Sequence, residues 1–263
     1  MENFHNKKAV IIGGSGGIGD CISQKLAEEG VSVVVHGGEN SKRLQDLVEK
    51  LQSEHGTNHD FSCTGISQKI TTDNFSLIGK SELMRHVCEA DILCVAFGPF
   101  VQKKLEDTTL QDWLDVCLLD YALPGYCVSR ALPHMMEKKW GRIILFGGTL
   151  TNNVKGFLTN AAYGGAKTAV CSLVKSTAIG YGRYGITCNG ILPGFTDTEY
   201  QSRELKENLR KKMPMGELVQ PKSIGNTVMM LLKTSDINGA LINIDGGWDP
   251  VISCFLESKV QLS

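Results

Sequence analysis

The sequence predicts an α/β fold, a parallel sheet whose strands alternate with helices. Three observations carry this. Runs such as Val31 to His36 are continuously apolar and β-branched, as strands buried on both faces are. Stretches of helical length lie between them; Ser41 to Glu54 keeps Leu44, Leu47, Val48 and Leu51 on one face. The first strand runs directly into Val10-Ile11-Ile12-Gly13-Gly14-Ser15-Gly16-Gly17-Ile18-Gly19, which turns through glycines and then becomes helical through Cys21, Ile22, Leu26 and Ala27.

That glycine stretch has a chemical use. A loop without side chains lets the backbone approach a phosphate. The N–H groups at the helix start, near Gly17, Ile18 and Gly19, can then hold negative charge. A glycine-rich turn that binds nothing is the plain alternative. The position after a first strand favours a dinucleotide.

Composition sets bounds. The chain has 263 residues and 42% hydrophobic content, enough for a single domain over 1–263. A net charge of −1 offers no field to nucleic acid. No apolar run approaches the ~20 residues of a membrane span. Met1 to Lys8 lacks a signal-peptide core. The nine cysteines form no CxxC pair, which fits reduced thiols in a cytoplasmic protein. No histidine or cysteine spacing suggests a metal.

The elements follow in order. Lys8 to Ile12 is the first strand, with a helix from Gly19 to Glu29 and a stop at Gly30. Val31 to His36 is the second strand. Residues 55–80 show no readable period, and an inserted loop fits them. Asp91 to Gly98 holds the fourth strand and its exit, beside an apolar lip of Phe97, Pro99 and Phe100. A long helix spans Asp112 to Met136, interrupted near Pro124. Gly141 to Phe146 is the fifth strand, Asn160 to Ile179 a helix, Ile186 to Ile191 the sixth strand and Asn238 to Asp245 the seventh.

Tyr163 and Lys167 stand at i and i+4 on one helix face. A free phenol has a pKa of ~10, so phenolate is scarce at neutral pH. A cation within ~4–6 Å stabilises the phenolate and lowers that pKa. Such a phenol can give a proton to a ketone oxygen or take it back.

The Gly13, Gly17, Gly19 spacing and Tyr163-Gly164-Gly165-Ala166-Lys167 resemble the short-chain dehydrogenase/reductase family, with Pro193-Gly194-Phe195-Thr196-Asp197-Thr198 and Asp245-Gly246-Gly247 in keeping. The resemblance runs along nearly the whole chain and is greatest to the 3-oxoacyl-reductase branch. It implies a Rossmann-type doubly wound parallel sheet of about seven strands with helices on both faces. It implies a nicotinamide cofactor held by Gly13, Ser15, Gly17, Ile18, Gly19, Gly98, Tyr163, Lys167, Pro193, Gly194, Thr196 and Thr198. Lys167 would hold the nicotinamide ribose. It also implies a substrate lid over 199–216 and a homotetramer built on the helices near 112–136 and 160–179. The apolar tail of Val251, Ile252, Phe255 and Leu256 suits burial against another subunit.

The end of the second strand normally meets the adenosine ribose. A carboxylate there suits NAD, a basic residue NADP. Here Gly37 and Gly38 supply neither. Ser15, Lys42 and Arg43 can serve a 2′-phosphate, and Glu39 a ribose hydroxyl; Lys42 and Arg43 also read as a solvated helix start. The balance favours NADP, with NAD the alternative. Near the adenine the family places an Asp at the end of its third strand, for which Asp60 and Asp73 are candidates.

The chain departs from the family in several places. Ile12 stands for a loop Thr, and Val95-Ala96-Phe97 for the asparagine-rich strand exit. Gly148 falls where the catalytic serine belongs; Thr149 follows, with Thr151 close. Thr149 either polarises the carbonyl or bonds loop backbone. Asp120 takes the place of the catalytic Asn, whose helix kink presents a carbonyl to a water that bridges to the lysine. An ionised Asp120 near Lys167 would draw its charge away from Tyr163.

The expected function is NAD(P)-dependent reduction of a ketone or 3-oxoacyl group, or oxidation of the secondary alcohol, on a small-molecule substrate. Tyr163 is the acid/base, with Lys167, Thr149 and Asp120 around it. The alternative is a dinucleotide-binding sensor or partner protein with little turnover, suggested by the absent Ser and Asn. Enoyl reduction fits less well, because that branch sets its Tyr and Lys further apart.

Overall fold

The computed structural model describes residue 4 and residues 6–57 and 60–249. The apolar tail expected to meet another subunit lies outside them.

Seven parallel strands form one sheet in the order β3-β2-β1-β4-β5-β6-β7. They are β1 (Lys8–Ile12), β2 (Ser32–Gly37), β3 (Cys63–Ser67), β4 (Ile92–Val95), β5 (Gly141–Phe146), β6 (Ile186–Pro193) and β7 (Leu241–Ile244). The order reverses between β1 and β4, whose register pairs Ile11 with Cys94. In such sheets the strand ends diverge at the reversal and leave a crevice at their carboxyl ends.

Because successive side chains point to opposite faces, each apolar strand feeds two cores. On one face Ile11, Val33 and Val35 pack with α1 (Gly17–Glu28), α2 (Ser41–His55) and a carboxyl-terminal helix, Pro221–Lys233. On the other, Val10, Ile12 and Leu93 pack with α3 (Glu82–Val87) and with two longer helices through Leu123, Ala131, Met135, Val170 and Val174. Leu26 and Leu123 are closed to solvent; truncating either to Ala should cost ~2–5 kcal/mol.

The unreadable stretch contains β3 and a 3₁₀ turn, Phe75–Lys80. Here β3 lies on the sheet edge, with Thr64 and Gly65 only partly apolar in a short run, so little periodicity reaches the sequence. Asp60 precedes this strand and Asp73 lies exposed beyond it. Neither stands at its carboxyl end, so both candidates for the adenine carboxylate are set aside.

The long helix expected over 112–136 divides. The first piece is α4 (Leu110–Val116), then comes a π-helical turn, Cys117–Ala122, then α5 (Leu123–Lys138). Pro124 explains the break. It has no N–H, so the Asp120 carbonyl four residues earlier loses its α-helical donor. The Leu123 N–H reaches back to Leu118, a π-type span. The remaining helices are α6 (Ala161–Tyr181), α7 (Arg203–Arg210) and α8 (Pro221–Lys233).

Candidate active site

The glycine loop closes onto itself. Gly13 has φ +78°, and a Cβ there would lie 2.5 Å from the Ala96 carbonyl oxygen. A Cβ on Gly19 would lie 2.1 Å from the Gly13 carbonyl, so the first turn of α1 can rest on the loop only without one. The loop ends at Gly16, which caps α1, and Ile18 packs against the core beneath. Gly17 N–H points outward and donates to Glu199 Oε1 at 3.1 Å. An anion thus already sits on the amide expected to meet a phosphate. Arg43 binds the same carboxylate, donates to the Tyr200 hydroxyl at 3.2 Å and lies 5.2 Å from its ring centroid.

At the end of β2, a Cβ on Gly37 would lie 2.7 Å from Ser15 Oγ, so Ser15 fills the place of a strand-end carboxylate. Glu39 pairs instead with Lys69, and both are exposed.

The loop after β6 backs the cradle. Thr198 meets Gly17, where a Cβ would come within 2.9 Å of Thr198 Cγ2. A Cβ on Gly194 would lie 2.6 Å from Asp245 Cα, which seats the Pro193-Gly194 turn on the closing turn. Buried Thr196 donates its hydroxyl to the Gly194 carbonyl at 3.0 Å. Beyond it, α7 is tied down by Asp197, 2.6 Å from Lys206 and 3.4 Å from Arg210.

Tyr163 and Lys167 project from α6 toward the exit of β5. A Cβ on Gly148 would stand 3.2 Å from Tyr163 Cε1 and 3.4 Å from its hydroxyl. The position that faces the phenol is therefore the one without a side chain. Thr149 turns away and donates to the Pro193 carbonyl at 3.0 Å. Thr151 is buried, donating to the Gly148 carbonyl at 2.8 Å and accepting from the Gly148 N–H at 3.0 Å. Of the two readings of Thr149, its geometry is the loop-bonded one.

Lys167 Nζ lies 2.8 Å from Asp120 Oδ1 and donates to the Phe146 carbonyl at 3.1 Å. Neither Asp120 oxygen accepts a well-aligned hydrogen bond, so the contact is an off-axis ion pair. Gly98 makes room for it: a Cβ there would lie 1.8 Å from Oδ1.

Burial pushes the Asp120 carboxyl up against the pull of Lys167. Burial opposes the Lys167 charge, yet Tyr163 and Asp120 outweigh it and hold the ammonium above its ordinary range. Burial likewise pushes the Tyr163 phenol up; Lys167 draws it down, and Asp120 pushes it up again. The expected lowering by Lys167 is present but outweighed. Phe100 stacks edge-on against Tyr163, with ring centroids 4.9 Å apart. Phe100, Val154 and Leu158 are exposed.

Among the described residues, no helix is long and apolar enough to cross a membrane, and no cluster of three His, Cys, Asp or Glu side chains is set to hold a metal. Glu199, which holds the Gly17 N–H, was not legible in the sequence, because it sits in a polar stretch with no motif.

A family model described as enoyl-(acyl carrier protein) reductase matches residues 13–249. The chain belongs to the short-chain dehydrogenase/reductase family. It is an oxidoreductase, and the relatives it resembles include 3-oxoacyl reductases. It is 29% identical over 249 residues to the uncharacterized oxidoreductase YmfI of Bacillus subtilis (strain 168), covering 92% of this chain and 99% of that protein. It is 29% identical over 248 residues to the 3-oxoacyl-[acyl-carrier-protein] reductase FabG of Staphylococcus aureus (strain N315), covering 92% and 97%. A solved short-chain dehydrogenase/reductase from Serratia marcescens BCRC 10948 superposes with a TM-score of 0.81 at 26% identity, covering 94% of this chain and all of that one. As a short-chain dehydrogenase/reductase the protein keeps the glycine cradle and the Tyr163–Lys167 pair, and differs at Gly148 and Asp120.

Proposed function

We propose that this protein uses NADP(H), with NAD(H) as the alternative, to reduce a ketone or 3-oxoacyl group or to oxidise the corresponding secondary alcohol. The observation that carries this is Tyr163 placed over Lys167 beside Gly148, at the same sheet end as the glycine cradle. The cradle suits a dinucleotide: Gly13, Gly17 and Gly19 leave space where side chains would intrude, and Gly17 N–H already holds an anion. Gly17, Ile18 and Gly19 would hold the pyrophosphate. Pro193, Gly194, Thr196 and Thr198 would border the nicotinamide half, near Gly98. Ser15 at Gly37 and Arg43 nearby favour a 2′-phosphate over a bare ribose.

The dinucleotide supplies the hydride, or accepts it in oxidation. Tyr163 donates its phenolic proton to the carbonyl oxygen as negative charge develops there. Its raised pKa keeps it protonated at neutral pH, which suits reduction. Lys167 steadies the phenolate left behind and holds the cofactor ribose. Exposed Phe100, edge-on against Tyr163, would offer apolar surface to an acyl chain, and residues 199–216 would be the lid. The S. aureus relative's name supports a 3-oxoacyl group as the substrate class.

Intrinsic fluorescence titration with NADPH and NADH tests binding, and turnover on ketone and 3-oxoacyl thioester panels tests chemistry. Tyr163→Phe should lower the rate by ~10²–10⁴ while leaving cofactor affinity nearly unchanged. An unchanged rate rejects the mechanism. The bare Gly148 favours a second reading, a dinucleotide-binding sensor, which tight binding without turnover on any substrate would support.

A further inference from the structure

We propose that His36 is a positioning residue for the dinucleotide cradle: its uncharged imidazole ties the Gly13 amide to the Gln68 carbonyl, and protonation of the ring loosens the cradle. The cofactor half of this inference rests on the function proposed above; the tie itself does not.

His36 lies in β2 and has no exposed surface. A buried polar ring is costly unless its polar atoms are paired, and both nitrogens are. Gly13 N–H donates to Nδ1 at 3.1 Å, and Nε2 lies 2.8 Å from the Gln68 carbonyl oxygen. A backbone N–H can only donate and a carbonyl can only accept. Nδ1 must therefore be the bare nitrogen, and Nε2 must carry the hydrogen. A second proton would land on Nδ1 and face the Gly13 N–H, donor against donor.

Gly13 cannot answer by moving alone. Its φ is +78°, its Cα side is closed by the Ala96 carbonyl, and its own carbonyl lies under Gly19 at the start of α1. The phosphate-facing amides, Gly17 to Gly19, follow four to six residues later, and Gly19 rests on the Gly13 carbonyl. Phe97 packs edge-on against the imidazole, with centroids 5.8 Å apart. One ring on β2 thus touches the exits of β1, β3 and β4, three segments that border the crevice.

The groups packed on the ring, Gly13 from β1, Gln68 from the end of β3 and Phe97 from the exit of β4, do not ionise. The charged side chains on the loops leaving β2 and β3, Glu39 and Lys69, are exposed and paired with each other. Burial lowers the imidazole pKa, partly offset by the Gln68 bond. A histidine whose folded pKa lies below its unfolded value of ~6.5 gives full stabilisation above that pH and loses it as pH falls.

The test uses ligand-free protein with ¹⁵N-labelled histidine, and NADPH and NADH titrations of wild type, His36→Asn and His36→Phe. Asn keeps an acceptor at the Nδ1 position and does not titrate. Phe keeps the ring volume and neither bond. The expected spectrum shows neutral His36 with its hydrogen on Nε2 from pH 6 to 8. Wild-type affinity for both dinucleotides should fall more steeply than that of His36→Asn as the pH is lowered from 7.5 to below 5.5. His36→Phe should bind both at least tenfold more weakly at pH 7.5. A charged ring at pH 6.5, equal pH slopes for wild type and His36→Asn, or wild-type affinity in His36→Phe would each overturn the proposal. If no variant binds a dinucleotide, the function fails, and the ligand-free spectrum still decides the tie.

Discussion

Lys167 Nζ stands 2.8 Å from Asp120 Oδ1, and both side chains are almost closed to water. A buried ammonium cannot serve two anions equally. Held by a carboxylate, Lys167 gives less of its charge to the phenolate of Tyr163, and Asp120 itself pushes the phenol upward.

Asp120→Asn removes that charge and leaves an amide oxygen beside Lys167. Reduction needs the protonated phenol, so its rate falls as pH rises through the phenol pKa. Removing Asp120 lowers that pKa, and the basic limb of the pH–rate profile should move to lower pH. Activity at pH 7 should be equal or higher. Asp120→Leu leaves the ammonium with only the Phe146 carbonyl, and denaturant unfolding should show a loss of about 3–5 kcal/mol. A loss of activity in Asp120→Asn would mean that the carboxylate has its own catalytic role.

Gly148→Ser restores a hydroxyl next to the phenol. The new Cβ would meet Tyr163 at 3.2–3.4 Å, so the ring must give by a few tenths of an ångström. Gly148 has no positive φ, so the backbone accepts the change. One donor to a developing oxyanion is worth ~10²–10³ where it is ideal; at least a tenfold rise in kcat is expected here. Gly148→Ala, with the same bulk and no donor, should give none. Thr149→Ala should cost less than tenfold, since its hydroxyl serves Pro193.

Much of this was legible in the sequence. Apolar runs marked β1, β2, β4, β5 and β6 because strands inside the sheet are buried on both faces, whereas β7, read over Asn238 to Asp245, is a partly exposed edge. The Gly13, Gly17 and Gly19 spacing gave the cradle because each position excludes a Cβ. The edge strand β3 was hidden, since Thr64, Gly65 and Ser67 break its apolar run. The direction of a short side chain was equally hidden: nothing in Gly147-Gly148-Thr149 says that Thr149 faces Pro193. Glu199 reaches Gly17 across 182 positions of chain, and no local pattern encodes such a pairing.

The outer face of α4 is apolar and bare. Leu110, Trp113, Leu114 and Tyr121, the last in the π turn, are all more than one-third exposed. The helix is fixed by a Thr109–Asp112 capping box, so this is an ordered surface. A homotetramer should bury it, and light scattering at micromolar concentration should report four chains. Trp113→Glu should shift the population to smaller species. A wild-type monomer would remove the expectation.

Glu199 marks a competition at the cradle. Its carboxylate takes the Gly17 N–H and the Arg43 guanidinium together, the groups proposed here for the cofactor's phosphates. Two anions cannot share one amide, so the dinucleotide must displace the carboxylate and move the segment between Thr198 and α7. Glu199→Gln keeps the shape and removes the charge. NADPH binding should tighten by roughly three- to tenfold, about 0.7–1.4 kcal/mol. Arg43→Ala should weaken NADPH more than NADH, because only NADPH offers a 2′-phosphate to the freed guanidinium. Titrations of both variants with both dinucleotides check this directly. Weaker binding of both cofactors in Glu199→Gln would show instead that the carboxylate is a ligand, bonding a ribose hydroxyl rather than standing in for a phosphate.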